Sequence, residues 1–287
     1  MKYLKNPYVK FSIKLLFTIV LLAIVFKTVP FNEVIHTIFH TNLIWLLIAI
    51  VFFILSKYFS SVRLNDFLKN AHTEVDTAYN MKLYLLGMFY NFFLPTGIGG
   101  DAYKAVKIHN DYSYPLKNIA STILLDRISG LAALVNIAVV FSFYYLSLVQ
   151  SVMLLALVLV GNVLYHFLVR KFISNRLISL KTELLSLFVQ LSQCICAYCI
   201  LKALDIANNE LIYIIVFLIS SIASLFPLSI GGVGAREYTF MIASTYFHLH
   251  TEKAIAIGLL FYILSLVVSL FGSYFIFKPI YPIKTYV

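Results

Sequence analysis

Six apolar stretches of the chain approach the length of a membrane crossing: residues 12–29, 43–59, 119–147, 149–169, 184–204 and 254–277. A helix needs about 20 apolar residues to cross the hydrocarbon core. Two further apolar segments, 78–95 and 211–227, each run into the same hexapeptide pattern, Pro-x-x-Ile-Gly-Gly. The copies are Pro95 to Gly100 and Pro227 to Gly232. Proline and paired glycines break helices. In lipid, broken backbone survives only where it is buried in protein or lines a cavity. Matched breaks in the two halves of a chain point to a transporter-like site.

Composition agrees with a membrane protein. The chain has 287 residues, 61% of them hydrophobic and 12% charged, with a mean hydropathy of +0.92. Soluble domains carry about 25% charged residues. The longest polar intervals, residues 60–78 and 170–183, are the size of loops, so residues 1–287 form a single all-α polytopic domain with no soluble module. Lys2, Lys5, Lys10 and Lys14 precede the first apolar run, but no small-residue cleavage site follows Phe26, so an uncleaved first span is expected rather than a signal peptide.

The net charge of +10 does not indicate nucleic acid, because the basic residues fall in short loops beside apolar spans. With both termini in the cytoplasm, 17 of the 22 Lys and Arg residues lie inside. Lys27, Lys202 and Lys253 fall outside, and Arg127 and Arg236 fall within the bilayer. Had residues 78–95 crossed, Lys104, Lys107 and Lys117 would face outside, against the orientation bias. The expectation is therefore six spans plus two re-entrant helical hairpins in the plasma membrane, the alternative being eight transmembrane helices. Each half reads span, span, hairpin, span in opposite directions, an inverted-topology repeat of about 1–148 and 149–287. The motif copies are 132 residues apart and the following spans 135 apart.

Few residues can carry chemistry. Cys194, Cys196 and Cys199 lie in one apolar helix without a second Cys/His cluster, and are read as buried thiols. His36 and His40 fall on the polar side of a short interfacial helix whose apolar face is Phe31, Val34, Ile35, Ile38 and Phe39. No catalytic constellation, metal site, nucleotide fingerprint or cofactor motif is present in the sequence. After each glycine pair the chain resumes as a helix, over 101–108 and 235–247, and a helix N-terminus offers free N–H groups and a partial positive charge to an anion. A lipid phosphate would suit Gly99, Gly100, Gly231, Gly232 and Gly234, with Pro95 and Pro227 as hinges; the alternative use of these glycines is close helix packing.

Asp101, Asp126, Arg127, Arg236 and Glu237 fall in or beside the hydrocarbon layer, where charge is costly unless paired. Asp126 and Arg127 point about 100° apart on one helix and cannot pair well with each other, nor can Arg236 and Glu237. The expected pairs are Asp126 with Arg236 or Arg127 with Glu237. Asp101 is either an N-cap or a ligand or proton group. Arg236 is the best phosphate binder, and Lys104 either snorkels to the surface or meets a headgroup.

Three blocks together resemble a known family. Asn91-Phe92-Phe93-Leu94-Pro95 with Gly99-Gly100-Asp101, then Leu125-Asp126-Arg127-Ile128-Ser129-Gly130, then Pro227 with Gly231-Gly232-Val233-Gly234-Ala235-Arg236-Glu237 are similar to the transmembrane domain of lysylphosphatidylglycerol synthases. The blocks follow the family's order and cover nearly the whole chain. One departure is Lys104, where the family often has arginine. The resemblance implies a flippase-like domain that moves an anionic or modified lipid between leaflets. The soluble transferase of full-length synthases is not in this sequence, so the expected partners are membrane lipids and a separate lipid-modifying enzyme, with homo-oligomerisation left open. The other classes are a membrane transferase acting on a lipid-linked substrate and an accessory subunit of such an enzyme. Cysteines placed at positions 104 and 253 are expected to label from opposite faces of the membrane; labelling from one face would rule the inverted repeat out.

Overall fold

A computed structural model describes residues 7–28, 30–93, 99–172, 178–225, 232–278 and 280–281. Almost all of them are helical, and no strand occurs among the described residues. The helices are α1 (Pro7–Thr28), α2 (Phe31–Phe39), α3 (Leu43–Asn70), α4 (Thr77–Phe93), α5 (Gly99–Tyr112) and α6 (Leu116–Ser142). Then follow α7 (Leu148–Phe172), α8 (Leu180–Ala203), α9 (Glu210–Leu225), α10 (Ala235–Tyr246), α11 (Thr251–Leu270), a 3-10 turn at Phe271–Ser273 and α12 (Tyr274–Phe277).

Among the described residues, five helical segments are long and apolar enough to span a bilayer: α3, α6, α7, α8 and the run Thr251–Phe277. The protein is a polytopic all-α membrane protein. The residues of α1 and α2 bend by 89° and make a sixth span if counted as one broken element. Only Val34 of α2 is buried, while Phe31 and Phe39 are exposed. The span of α7 is the least buried, and its exposed Leu, Val and Met side chains suit lipid contact.

The chain folds into two compact units. The first draws on residues 1–54, 88–100 and 193–271, the second on 55–87, 101–192 and 272–287. In the first, Phe261 of α11 stacks edge-on against Phe53 and Phe217, with centroids 5.5 and 4.8 Å away. In the second, Phe67, Leu125 and Val169 close a small core with Ala71, Tyr165 and Ile178 around it.

The helices on either side of each repeated motif, α4 with α5 and α9 with α10, meet through side-chain contacts. At the base of the first pair, Tyr79 donates from its hydroxyl to Asp111 Oδ2 at 2.7 Å. Midway, Gly87 faces the side chain of Lys104. At the tip, Gly100 N–H donates to Asn91 Oδ1 at 2.9 Å. Numbers rise along α4 as they fall along α5, so the two run antiparallel. In the second hairpin, Ser220 and Ser221 of α9 meet Arg236 of α10 and Ser224 meets Gly232, again in antiparallel order. The turns themselves, residues 94–98 and 226–231, lie outside the described residues, and with them Pro95, Pro227 and Gly231.

One expected boundary is corrected. Residues 60–78 were expected to be a loop, yet α3 continues through Asn70, about 42 Å of helix at 1.5 Å per residue. Ser56, Ser60, Ser61 and Arg63 are polar but buried, so this stretch faces protein rather than water.

Gly272 shows how tightly the second unit is packed. A Cβ there would lie 2.2 Å from the Leu85 carbonyl oxygen on α4. Gly272→Ala is expected to destabilise by at least about 1–3 kcal/mol, the usual range for overpacking, read as a lower unfolding midpoint in detergent. Gly161→Ala is the control, since nothing lies within 4 Å of that position.

Candidate functional site

The second unit is organised around two aspartates. Asp126 on α6 accepts from Arg63 Nε at 2.7 Å, and both side chains are almost fully buried. Arg63 Nη1 also donates to Ser186 Oγ on α8 at 3.0 Å. Gly130, one turn beyond Asp126, leaves room for the guanidinium: a Cβ there would be 3.1 Å from Arg63 Nη1. The carbonyl of Gly130 accepts from Gln190 Nε2 at 2.9 Å, and Ser129 Oγ donates to the Asp126 carbonyl. One face of α6 therefore collects α3 and α8 through polar bonds.

Asp101, in the first turn of α5, is shared by two cations. Its Oδ1 accepts from Lys104 Nζ at 2.7 Å and its Oδ2 from Arg127 Nε. The stem of Lys104 runs past Gly87, where a Cβ would be 3.1 Å away, and its ammonium lies 4.6 Å from the centre of the Tyr84 ring. Only about a third of the Arg127 side chain is exposed. Two cations on one carboxylate leave this group with an excess positive charge.

The first unit holds the second hairpin. Gly232 and Gly234 have φ of 84° and 85°, the left-handed region that glycine adopts without strain. A Cβ on Gly232 would also lie 2.9 Å from Ser224 Cβ. Gly234 is the N-cap of α10, and its N–H donates to Glu237 Oε2 at 2.6 Å, the reach-back bond of a capping box. Glu237 is fully buried. Arg236 Nη1 donates to Ser220 Oγ and Ser221 Oγ, both at 3.2 Å. The rings of Phe217 and Phe261 lie 5.1 and 4.7 Å from the guanidinium carbon. Among the described residues, no carboxylate pairs with Arg236. From the tip of the first hairpin, Phe92 meets Tyr262 of α11 with centroids 5.3 Å apart.

Sequence comparison places these features in a family. Residues 11–272 match the lysylphosphatidylglycerol synthase TM region. The chain belongs to that family. No curated protein matches the sequence.

In this lysylphosphatidylglycerol synthase TM region, the three sequence blocks coincide with the three polar centres just described. Their partners differ from expectation. Asp126 pairs with Arg63 rather than Arg236, and Arg127 with Asp101 rather than Glu237. The reason is the longer α3, which brings in a buried arginine that had been counted among the loop charges. Lys104 does not snorkel: it is 5% exposed and bonded to Asp101. Burial also unsuits position 104 for labelling, and the exposed Lys117 is the better reporter. Asp101 is no N-cap, because its carboxylate binds Lys104 and Arg127, while Asn91 takes the Gly100 amide. Gly99 and Gly100 open α5 themselves and are buried.

Arg63, Asn91, Ser220 and Ser221 were not among the sequence candidates. For Arg63, the signal was the helical spacing of Ser56, Ser60 and Arg63, which places polar groups on one face. For Ser220 and Ser221, it was a serine pair inside an otherwise apolar helix.

Removing one member of the Arg63–Asp126 pair leaves an uncompensated buried charge. Asp126→Asn is expected to cost about 3–5 kcal/mol, whereas the double change of Arg63→Met with Asp126→Met recovers most of it. Detergent unfolding of both variants measures this.

Proposed function

We propose that this protein moves an anionic or modified phospholipid, or a lipid-linked molecule, between membrane leaflets. The observation that carries this reading is Arg236. Two serine hydroxyls and two phenyl faces hold its guanidinium, and no described carboxylate forms an ion pair with it. A guanidinium presents a fixed fork of donors that matches phosphate. Family membership adds a membrane lipid-related role. In the second unit the excess charge on Asp101, Lys104 and Arg127 offers a further place for an anionic head, while Asp126 fixes α6 through Arg63. Gly99, Gly100, Gly231, Gly232 and Gly234 belong to the same proposed path, with Pro95 and Pro227 as its hinges.

The inverted repeat of about 1–148 and 149–287 belongs to the same proposal. Positions 87 and 220 are 133 residues apart, as are 91 and 224, while 104 and 236 are 132 apart, as are 100 and 232. Gly87 with Lys104 and Ser220 with Arg236 are thus equivalent rungs, as are Asn91 with Gly100 and Ser224 with Gly232. Placement in the plasma membrane with both termini cytoplasmic belongs to the same proposal, and the positive-inside count supports the orientation. Membrane lipids are the partners this reading requires, and a separate lipid-modifying enzyme is a further partner it is compatible with.

The test uses purified protein in phosphatidylcholine vesicles carrying fluorescent phosphatidylglycerol in one leaflet. Wild-type protein is expected to speed exchange, and Arg236→Ala to slow it by about tenfold or more, the worth of a lost charge-assisted bond pair of about 1.5–3 kcal/mol. Arg236→Lys, which keeps charge but loses the fork, falls between. Equal rates for wild type and protein-free vesicles overturn the reading.

A further inference from the structure

Glu237 is the one fully buried carboxyl at the second hairpin, and only half of it is used. Oε2 caps α10 through the Gly234 amide, but Oε1 has no hydrogen-bond partner among the described residues. The backbone of α11 seals it: a Cβ on Gly258 would be 3.2 Å from Oε1 and 3.3 Å from Arg236 Cγ. The adjacent guanidinium is turned to Ser220 and Ser221 and does not bond the carboxyl.

Arg236 is the nearest cation and acts on Glu237 through space without bonding it, and the other groups around Glu237 supply no further counter-charge. On α11 the facing titratable group is Tyr262. On α9 the groups beside this turn of α10 are the hydroxyls of Ser220 and Ser221, and Glu210 lies in that helix's first turn. The part of α1 that meets Gly234 offers Thr18 and Leu21, and Lys27 is exposed in its last turn. On α10 itself the neighbours are Arg236 and Tyr238, and Cys196 of α8 lies on the Arg236 side. At the start of α11, Glu252 and Lys253 lie beside His250, away from the tip. An ionised carboxylate oxygen without a donor is very costly in such a place, whereas a carboxylic acid with its proton on Oε1 is far cheaper. Arg236 keeps its own charge in either case.

We propose that Glu237 is a proton-binding site: it carries a proton on Oε1 in this conformation and releases it when the hairpin opens to water, so that lipid movement and proton movement are coupled. The coupling half rests on the translocase reading; the occupancy half does not. Protonation removes the negative charge next to Arg236, and so leaves the whole guanidinium charge to an anionic headgroup. Release of the proton restores the carboxylate and weakens that hold. The balance is one proton taken up and one given back per cycle, with no bond to carbon made or broken.

The experiment has two readouts on purified full-length protein. In the infrared spectrum at neutral pH, wild type is expected to show a protonated-carboxyl stretch that Glu237→Gln lacks; Gln keeps an acceptor for the Gly234 amide, so the fold is retained. The absence of any such Glu237-dependent band overturns the proposal. In the phosphatidylcholine vesicles with fluorescent phosphatidylglycerol, the wild-type rate is expected to change by about tenfold per pH unit where proton loading limits it. Glu237→Gln is expected to give a rate flat with pH. Matching pH profiles for the two proteins overturn the coupling. A band that is present, in a wild-type protein that moves no lipid, supports the proton site and overturns the translocase reading instead.

Discussion

An ion pair in a low-dielectric interior must be complete before helices can close around it, and the second unit is arranged by that constraint. Asp126 cannot remain buried without Arg63, and Arg63 cannot reach it unless Gly130 omits its side chain. The serine and glutamine bonds from α8 then follow, because they satisfy the donors and acceptors left over around the pair. Three helices meet at one charge pair, which is why a polar block sits in the middle of an apolar helix. Adjacent Arg127 leaves the helix in another direction and answers a different aspartate, as the rotation of successive helical positions demands.

The hairpins apply one solution with different residues. In the first, a missing side chain at Gly87 makes a slot for the lysine stem, and an aromatic ring and a carboxylate take its ammonium. In the second, Ser220 of α9 bonds an arginine directly. Lysine is a point charge on a flexible chain and suits a slot that ends in an anion, whereas arginine is a flat fork and suits hydroxyls beneath with rings beside it. The first cation is answered within the protein; the second has no described carboxylate to answer it.

How far the sequence reveals this depends on the kind of feature. The helical membrane class follows from run length and charge placement, since both respond to the bilayer itself. The interruptions between α4 and α5 and between α9 and α10 coincide with the repeated motif, although Gly99 and Gly100 themselves open α5. The charge partners did not follow, because pairing depends on helix length, and the polar end of α3 resembles a loop when read by composition alone. Arg63 was counted with the surface charges for that reason, and Asp126 was assigned the wrong partner. Lys104 was placed at the surface because the sequence gives no sign that Gly87, seventeen residues earlier, makes room for it. Neighbours within a turn of helix are legible in a sequence; neighbours across a hairpin become legible once the register is known.

The start of α10 links local backbone geometry to the electrostatics of the site. Gly234 takes a positive φ that other residues resist, and this turns its amide toward the side chain three positions on. One oxygen of Glu237 is thereby committed to capping, and the carboxyl makes no hydrogen bond to the guanidinium next to it in sequence. Arg236 then finds hydroxyls and aromatic faces, which hold it in place without cancelling its charge. A larger residue at 234 would loosen the cap and free the carboxyl to approach Arg236. Glycine at that one position therefore does two things: it allows the helix to begin, and it engages the carboxyl of Glu237 in the cap while Arg236 bonds the serines.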